Sequence, residues 1–322
     1  MTDESPLRHG SCASIATLTL NPTIDTSMEA ERVVPTQKIR TSGDRIDPGG
    51  GGINVARVLA RFRAPVHAIF LAGGSTGRLL DRLLQREGVE RTLVPIAGET
   101  RVSVTVYEHS TGDEFRFVPE GPTVSEVEWQ QCLAQIRNHS CDYFVASGSL
   151  PLGVPADFYA RAAAEITGRS IRLVLDTSGE ELKSAVGRAP LFLLKVSRSE
   201  LEELMGAQLP TVEAVSDAAS AIVERGDAEQ VAVTLGEEGA VLVNAAGSEF
   251  MPALEVEARS AVGAGDSFLA AMTYAFGCGT DSSTALRLGI AAGAAATLSP
   301  GTNLCHPWDV TRLSRQIADG GA

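Results

Sequence analysis

The sequence predicts an α/β protein with an open parallel sheet, closely packed helices and a small separate β-sheet. Short apolar runs that end in polar residues alternate along the chain with segments of helical period, which is the pattern of β-α-β units. Two strands of strict polar-apolar alternation interrupt this order and do not fit the main sheet. A glycine-rich turn in the last quarter of the chain places a carboxylate among free backbone amides.

The composition limits the kind of partner that the protein can bind. The chain has 322 residues, 44% of them hydrophobic and 5% aromatic, and a formal net charge of −13. This length allows one large domain or two small ones, and the charge argues against a nucleic-acid or anionic-membrane surface. Residues 1–13 are polar, and no run of 18 apolar residues occurs. We therefore expect a soluble, cytoplasmic protein with a flexible N-terminal tail at residues 1–13.

The cysteines favour a reducing environment. They are odd in number, far apart in the chain and without a C-x-x-C pair, so the sequence predicts neither a disulfide framework nor a zinc site. The five are Cys12, Cys132, Cys141, Cys278 and Cys305.

The first quarter of the chain contains a strand, a polar segment and a glycine run. Residues 14–20 predict a buried strand, with Asp25 beyond its carboxyl end. Residues 28–47 have no helical period and predict a hairpin that stands away from the core. Four glycines at 49–52 precede a helix predicted at residues 55–62. Without Cβ atoms they allow a ligand to approach the backbone closely, although a flexible linker is the alternative.

The next turn allows a rival interpretation. A strand at residues 66–72 and a helix at 77–86 flank the sequence Gly73-Gly74-Ser75-Thr76-Gly77, which matches the G-x-S-x-G nucleophile elbow of hydrolases. His306 lies downstream and could complete a triad with Ser75. A strand-to-helix turn commonly needs glycine anyway, and this interpretation leaves the other glycine-rich segments unused.

Residues 101–107 and 114–118 alternate between polar and apolar side chains, with a turn at 110–113. Both are predicted as half-buried hairpin strands that join residues 28–47 in the small sheet. Arg101 lies at the edge of this sheet, where it is either a solvated charge or an anion ligand.

The remainder of the chain predicts strand-helix units whose strands end in polar residues or glycine. A capping box at Ser125 and Glu128 opens one of the helices. Ligands bind at the carboxyl edge of an open parallel sheet, so the residues at the strand ends are candidates for a site. Residues 239–244 and 249–256 predict two edge strands, and 284–298 a buried helix. The strands with their end residues are 143–146 with the turn to Ser149, 171–175 with Asp176, 191–194 with Lys195, and 230–235 with Gly236.

The turn Gly263-Ala264-Gly265-Asp266 opens a helix of small apolar residues. The free amides of a helix N-terminus bind anions, but the carboxylate of Asp266 would repel one. The combination makes sense if the anion is a transferred phosphoryl group and Asp266 accepts the proton of the attacking hydroxyl. The alternative is an ordinary acidic residue that stabilises the helix dipole.

Residues 50–56 and 262–267 resemble the two signatures of the PfkB (ribokinase-like) carbohydrate kinases, in order and over essentially the whole chain. The resemblance implies a three-layer α/β/α fold with a mostly parallel sheet and a small β-sheet lid that commonly forms a dimer interface. The main domain would comprise residues 14–27, 48–98 and 119–322, and the lid residues 28–47 and 99–118.

Within the family, several segments resemble the minor, ATP-dependent type of bacterial 6-phosphofructokinase, among them residues 115–118, 147–151 and 176–180. The 1-phosphofructokinases and tagatose-6-phosphate kinases are similar over many of the same residues, and Asn21-Pro22 has the 1-phosphofructokinase form. The resemblance implies ATP-dependent phosphorylation of fructose 6-phosphate to fructose 1,6-bisphosphate. A non-catalytic protein that binds nucleotide or sugar phosphate is the alternative of another class.

The resemblance also implies roles for individual residues. The catalytic turn would consist of the base Asp266 with Gly263, Ala264 and Gly265 as the anion hole. The substrate ligands would be Asp25, Gly50, Gly51, Asn54, Arg101 and Ser149, with Arg40 from a neighbouring lid. The ATP ligands would be Lys195, Thr234, Gly236, Gly239 and Lys38. Mg²⁺ would be held by Glu200 and, through water, by Ser197, and a K⁺ ion by Ser260, Val262, Ala296, Ser299 and Gly301.

Three positions depart from the family pattern, and one of them is Ser299, which stands where similar chains carry Asn. Ser197 stands where the family usually carries Asn, and a serine hydroxyl has a shorter reach towards a metal-bound water. Asn303 stands where similar chains carry Arg, beside the segment implied for K⁺.

Overall fold

The computed structural model describes residues 12–298, 301 and 303–320. The strands are β1 Ile15–Thr19, β2 Thr23–Ala30, β3 Thr41–Gly49, β4 Val66–Ala72, β5 Glu90–Pro95, β6 Arg101–Glu108, β7 Glu114–Phe117, β8 Tyr143–Ser147, β9 Arg172–Asp176, β10 Leu191–Ser197, β11 Ala228–Thr234, β12 Gly239–Asn244 and β13 Gly247–Pro252. The helices are α1 Gly51–Arg61, α2 Gly74–Arg86, α3 Glu126–Asn138, α4 Phe158–Ile166, α5 Gly179–Ala185, α6 Arg198–Met205, α7 Val212–Glu224, α8 Ala264–Gly277, α9 Ser282–Thr297 and α10 Pro307–Gly320.

The main sheet has nine strands within the described ranges, in the order β13-β12-β11-β10-β9-β8-β1-β4-β5. Every pair from β5 to β11 is parallel, and β12 and β13 add two antiparallel strands at one edge. The carboxyl ends of β1, β8, β9 and β10 therefore lie side by side. This is the edge at which a parallel sheet binds its ligands.

Alternate residues of the central strands face opposite layers of helices. Ala16 and Leu18 of β1 belong to a core shared with α3 to α7, whereas Ile15 belongs to a core shared with α1, α8, α9 and α10. Burial on both faces explains why these strands read as continuous apolar runs. The predicted α/β/α fold is confirmed.

The second sheet has the order β3-β2-β6-β7. β2 pairs in parallel with β6, and the other two pairs are antiparallel. We call this four-stranded sheet the lid. It includes residues 23–27 and 48–49, which the sequence interpretation had placed in the main domain, so Asp25 lies on a lid strand. Residues 23–27 pair with residues 101–105 of β6, a partner that sequence spacing does not reveal.

Most predicted elements are present with boundary shifts of a few residues. Gly51 and Gly52 belong to α1 rather than preceding it, and Lys195 lies inside β10. The strand β5 was not predicted, because only one of its residues, Val94, is fully buried and its pattern is mixed. The capping box at Ser125 is present, with its backbone N–H donating to Glu128 Oε2 at 2.7 Å.

One disulfide joins Cys12 to Cys278, which corrects the prediction from cysteine spacing that the chain has no disulfide framework. The two cysteines are 266 residues apart, so spacing alone could not pair them. The amide of Ala13 donates to the carbonyl of Gly277 at 2.8 Å, which fastens the start of β1 to the end of α8. The rest of the predicted tail, residues 1–11, lies outside the described residues.

Across the described part of the chain, we find no helix with the length and apolarity that crossing a membrane requires.

Candidate active site

A polar cavity of about 320 Å³ opens where the carboxyl ends of the central strands meet the lid and the first turn of α8. Eleven of the predicted site residues line this cavity, together with several residues that were not predicted. Its polar and glycine lining is formed by Thr23, Asp25, Gly50, Gly51, Asn54, Arg101, Ser103, Arg116, Ser147, Gly148, Ser149, Asp176, Thr177, Ser178, Lys195, Glu200, Gly263 and Asp266.

Asp266 lies in the first turn of α8 and faces this cavity. Its Oδ2 accepts a hydrogen bond of 2.8 Å from the side-chain amide of Asn54 on α1. Burial, with a contribution from Asp176, raises the pKa of Asp266 to about 6, against the lowering effect of Asn54 and Lys195. At neutral pH the group is thus ionised, yet it is a stronger base than an exposed aspartate.

The turn before Asp266 presents backbone amides. Gly263 has φ of 75° and forms the N-cap of α8, and a Cβ there would lie 2.6 Å from Leu304 Cδ2. Among the described residues, the amides of Gly263, Gly265 and Asp266 have no hydrogen-bond acceptor, whereas Ala264 N donates to Ala261 O at 3.3 Å. Such a turn stabilises an anion at the positive end of the helix dipole.

Lys195 and Asp176 form a buried ion pair of 2.9 Å beside this turn. A Cβ on Gly265 would lie 3.2 Å from Lys195 Nζ, so the ammonium group is close to the free amides. Burial alone would lower the pKa of Lys195, but Asp176, Glu200 and Asp266 raise it above its usual value. Lys195 therefore stays charged, and it lies in the polar cavity rather than with Thr234 and Gly236.

The glycine run packs against the strand ends. Added Cβ atoms would lie 2.0 Å from Asp25 Oδ2 at Gly49, 2.3 Å from Ser147 Oγ at Gly51 and 2.3 Å from the carbonyl of Leu18 at Gly52. Gly50 has φ of 110° and lines the cavity. The need for glycine at three of the four positions thus comes from the protein's own atoms, and at Gly50 from backbone conformation.

The lid contributes a polar face. Thr23 and Asp25 of β2 pair with Arg101 and Ser103 of β6, and Arg116 of β7 follows on the same side of the sheet. Burial raises the pKa of Asp25 to about 6, against the lowering effect of the arginines around it.

Arg101 and Arg116 provide the positive charge at this end of the cavity. Arg101 donates to the carbonyls of Pro119 and Asn21 at 2.8 Å each. Its Nε is buried and has no hydrogen-bond acceptor within the described part of the chain. Ser149 lies nearby, with its Oγ 3.5 Å from the side-chain amide of Asn21. These donors are suited to a phosphate group.

Sequence reasoning missed Arg116 and the catalytic neighbourhood of Asp176. The alternation of residues 114–118 was recognised, but the face on which Arg116 lies depends on the pairing of Thr105 with Arg116. Asp176 was noted at a strand end, and only the neighbouring strand β10 brings Lys195 to it. In both cases the missing information was strand register.

A second cavity of about 260 Å³ lies on the other side of the α8 turn. Thr234, Gly236 and Gly239, all predicted for ATP, line it together with Ala264 and Gly265. The rest of the lining is mainly apolar, from Ala240, Ala253, Leu254, Val256, Phe268, Ile290 and Ala294. An apolar slot of this kind suits a flat base. The same glycine turn therefore borders both cavities.

Glu200 lines the polar cavity and fits a Mg²⁺ ion that arrives with a nucleotide. Its Oε2 accepts the backbone N–H of Ser197 at 2.7 Å, while Oε1 makes no hydrogen bond to any described residue. Mg²⁺ usually takes one or two carboxylates together with phosphates and water. Among the described residues no group of three or more His, Cys, Asp or Glu side chains could form a dedicated metal site.

Ser197 has a structural role that its sequence pattern allowed. It is the N-cap of α6 and forms a capping box with Glu200, and its Oγ accepts the amide of Glu200 at 3.3 Å. Its hydroxyl does not line the cavity. A hydrogen bond from Ser197 to a metal-bound water stays a prediction.

The residues implied for K⁺ are partly brought together. Val262 N donates to Ser260 Oγ at 3.2 Å, and Ser260 Oγ donates to Glu114 Oε2 at 3.0 Å. Ala296 is buried in α9, Gly301 approaches Ser27 of the lid, and Ser299 lies outside the described residues. Glu114 brings a carboxylate from the lid to this loop.

Lys38 and Arg40 are exposed in the segment between β2 and β3 and line neither cavity. A role for either residue within one chain has no support from this geometry. Their roles stay predictions that require a second copy.

The hydrolase interpretation of Ser75 has no geometric support. The amides of Ser75 and Thr76 donate to the carboxylate of Glu99, which caps α2. Ser75 Oγ accepts from Arg78 at 3.1 Å, and no histidine contacts it among the described residues. A carboxylate occupies the place where an oxyanion would need these amides.

Comparison with known proteins places the chain in a family. The model of the pfkB family carbohydrate kinases matches residues 18–309. The ATP-dependent 6-phosphofructokinase isozyme 2 of Mycobacterium tuberculosis is 44% identical over 307 residues, which cover 95% of this chain and 90% of that protein. The isozyme 2 of Escherichia coli K12 is 36% identical, covering 93% and 97%. A 1-phosphofructokinase of Bacillus subtilis is 34% identical, covering 88% and 93%.

Solved structures agree. Phosphofructokinase-2 from Escherichia coli in complex with substrates and products has a TM-score of 0.91 and 36% identity. The same enzyme with potassium gives 0.91 and 35%, and its tetrameric inhibited form 0.90 and 34%. Each covers 95% of this chain and 99% of that chain. The chain belongs to the pfkB family of carbohydrate kinases.

Proposed function

We propose that the protein is an ATP-dependent 6-phosphofructokinase that converts fructose 6-phosphate to fructose 1,6-bisphosphate. The observation that carries this proposal is the position of Asp266. It faces a polar cavity with two arginines, while the preceding glycine turn borders an apolar cavity. A sugar phosphate in the first and a nucleotide in the second meet at the free amides of α8.

The reaction follows from this arrangement. The hydroxyl oxygen at C1 of the sugar forms a bond to the γ-phosphorus of ATP as the bond to the β,γ-bridging oxygen breaks, and its proton passes to Asp266. The free amides of Gly263 and Gly265 and the ammonium group of Lys195 stabilise the negative charge on the phosphoryl oxygens. Glu200 would hold Mg²⁺, which would neutralise charge on the nucleotide phosphates.

Arg101, Arg116 and Ser149 would bind the 6-phosphate of the sugar. Asp25 and the backbone at Gly50 and Gly51 would receive the sugar hydroxyls, because they line the cavity between the arginines and the base. The matched relatives that act on fructose 6-phosphate show higher identity than the 1-phosphofructokinase. A free sugar would leave the two arginines without a phosphate to bind.

A 1-phosphofructokinase is the second candidate, and Asn21 favours it. The dipeptide Asn21-Pro22 resembles that of the 1-phosphofructokinases. The backbone carbonyl of Asn21 accepts a hydrogen bond from Arg101. Its side-chain Oδ1 is buried and has no donor within the described ranges. A tagatose 6-phosphate kinase would use the same arginines.

A coupled assay of ADP release, run with fructose 6-phosphate, fructose 1-phosphate, tagatose 6-phosphate and fructose, tests the substrate. We expect the highest kcat/KM with fructose 6-phosphate and none detectable with fructose. A preference for fructose 1-phosphate would establish the second candidate. Calorimetric binding of both substrates without ADP release would establish a non-catalytic binding protein.

Further parts of the proposal concern ions, assembly and location. K⁺ would bind near Ser260 and Val262, as potassium is present in a structure of the Escherichia coli relative. Arg40 and Lys38 would reach the sugar phosphate and nucleotide of a neighbouring copy. We place the enzyme in the cytoplasm, where ATP and sugar phosphates are found.

The assembly would be a homodimer through the outer face of the lid. Ile46, Val102 and Phe117 are 51%, 37% and 59% exposed on this face. The row from Ile46 through Thr26 and Val104 to Phe117 runs across all four strands. A contiguous apolar surface of this kind is typical of an interface between copies.

A further inference from the structure

Arg57, in the middle of α1, is the largest fully buried side chain, with 2% of its surface exposed. Its Nε and one terminal nitrogen each donate to the Glu87 carboxylate at 2.8 Å. The same terminal nitrogen lies 3.6 Å from Asp47 Oδ1. A buried guanidinium is costly unless it is paired in this way. The carboxylates of Glu87 and Asp47 balance the charge of Arg57 and leave its second terminal nitrogen available for other hydrogen bonds.

That second nitrogen connects the lid to the active site. It donates to the carbonyl of Pro48 at 2.7 Å and to Asn54 Oδ1 at 3.4 Å. Pro48 lies at the end of the lid strand β3, two residues before Gly50 of the cavity wall. The same guanidinium therefore holds both the strand that leads into the cavity and the amide beside it.

The amide of Asn54 is held from both sides. Its oxygen faces the guanidinium of Arg57, and its nitrogen donates to Asp266 Oδ2 at 2.8 Å. A flipped amide would place its oxygen against a carboxylate and its NH₂ group against a cation, so both contacts would become repulsive. Asn54 is also buried, which makes an unsatisfied amide group costly.

We infer that Arg57 is a positioning residue for phosphoryl transfer, which orients the Asn54 amide so that this amide donates to the catalytic carboxylate of Asp266. This inference rests on the proposed function. Arg57 itself touches neither substrate nor the reacting atoms, and it acts through Asn54. Lysine cannot replace it, because an ammonium group lacks the planar fork that reaches Glu87, Pro48 and Asn54 at once.

The polar and charged groups around Asp266 determine how the loss of the Asn54 hydrogen bond changes the pKa of this carboxylate. Asn54 on α1 donates to it, Lys195 on β10 attracts it, and Asp176 on β9 and Asp25 on β2 repel it. Once the Asn54 amide is free to turn, the carboxylate loses a donor that stabilises its ionised form. The base is then protonated at a higher pH, while the other three groups keep their places.

The test uses the whole protein and compares Arg57→Lys, Asn54→Ala and the double variant with the wild type. Arg91→Lys is the matched control, since Arg91 donates with two nitrogens to Asp81, at 2.6 and 3.3 Å, away from the cavity. Two quantities are measured: kcat against pH with saturating fructose 6-phosphate and MgATP, and the pKa of Asp266 by ¹³C NMR of the carboxyl group. Melting temperatures record any loss of stability.

We expect Arg57→Lys to lower kcat about 10-fold at pH 7, which is part of the 10²- to 10⁴-fold that a general base contributes. In Arg57→Lys the acid limb of the kcat profile should move to higher pH, and the NMR pKa of Asp266 should rise. Arg91→Lys should change neither quantity. In the Asn54→Ala background the further effect of Arg57→Lys should be less than about twofold, because the two residues act as a unit.

Two outcomes would overturn the inference. The first is an unchanged acid limb and Asp266 pKa in Arg57→Lys, with only a lower melting temperature as in Arg91→Lys. The second is full additivity of the two variants. If the wild type does not phosphorylate fructose 6-phosphate, the proposed function fails, while the NMR comparison still decides whether Arg57 orients Asn54.

Discussion

Asp266 is a residue whose position lowers the stability of the fold but suits the proposed chemistry. The fold places its carboxylate beside Asp176 and largely away from water, an arrangement that no stability requirement explains. Asn54 and Lys195 offset only part of this cost. A raised pKa in a cleft is typical of a group that exchanges protons.

Asp266→Asn should therefore stabilise the folded protein at pH 8. The folded-state pKa of about 6 lies above the ordinary value of 3.8, so the folded state loses stability relative to the unfolded state as the pH rises from about 4 to about 6. The cost is on the order of 2–3 kcal/mol above pH 6 and disappears below about pH 4. Thermal unfolding of both proteins at pH 8 and pH 4 measures it. Equal melting temperatures at pH 8 would contradict the placement of this carboxylate.

The same pKa predicts the pH dependence of catalysis. Phosphoryl transfer needs Asp266 ionised, so kcat/KM should fall below about pH 6, with the slope of one proton or more because Asp25 also titrates near 6. A profile of kcat/KM from pH 5 to 8 measures this. A rate that is constant down to pH 4.5 would exclude Asp266 as the base.

At the level of elements, the first turn of α8 and the inner face of the lid make the site. The turn joins the two cavities, and the lid strands β2, β6 and β7 carry Asp25, Arg101 and Arg116 on one face. Because successive residues of a strand alternate in direction, the lid can be polar towards the cavity and apolar on its outside.

Arg116→Gln tests the contribution of β7. The loss of a charged donor to the phosphate costs about 1.5–3 kcal/mol, which corresponds to a KM for fructose 6-phosphate about 10- to 100-fold higher. We expect kcat to change little, since Arg116 would bind the 6-phosphate and not the reacting atoms. Arg45→Gln, on lid strand β3 and outside the cavity lining, is the control. If both variants behave alike, Arg116 does not bind the phosphate.

The sequence predicted most helices and strands, but it predicted less well which of them are neighbours in the fold. Helical period and buried apolar runs predicted most strands and helices, and the glycine turn at 263–266 predicted Asp266 as the base. Arg116 and the contact of Lys195 with Asp176 depend on strand register, which local patterns do not contain. The sequence Ser197-x-x-Glu200 contains the capping box that opens α6, whereas the family resemblance predicts a metal-related role for the same serine.

At the level of the whole molecule, two features lie outside the site. The disulfide between Cys12 and Cys278 closes a loop across almost the entire chain, and the outer face of the lid exposes apolar side chains. Neither could be predicted from local patterns, since each depends on parts of the chain that are distant in sequence.

Cys12→Ser should lower the melting temperature under oxidising conditions, because a bond that closes a loop of this length removes conformational freedom from the unfolded chain, worth up to about 5 kcal/mol. In the presence of dithiothreitol the wild type and the variant should melt together. Activity should be the same in all four samples, since the bond lies at the end of α8 opposite to Asp266. A difference that persists under reduction would show that Cys12 contributes by packing alone.

Phe117→Asp should dissociate the proposed dimer. Phe117 is 59% exposed on the outer lid face, and a carboxylate there would have to be buried unpaired in an interface. Analytical ultracentrifugation of the wild type should give a mass of two chains or a multiple of two, and the variant a single chain. Glu126→Lys, at the exposed start of α3, is the control for a change of surface charge. A wild type that sediments as one chain at micromolar concentration would exclude the interface.

The central claim is that Asp266 deprotonates the C1 hydroxyl of fructose 6-phosphate for attack on ATP. The most direct measurement is ³¹P NMR of the products formed by the wild type and by Asp266→Asn from fructose 6-phosphate and MgATP. The account predicts fructose 1,6-bisphosphate and ADP in equal amounts from the wild type, and a rate about 10²- to 10⁴-fold lower from the variant. Formation of the bisphosphate at the same rate by both proteins would contradict it.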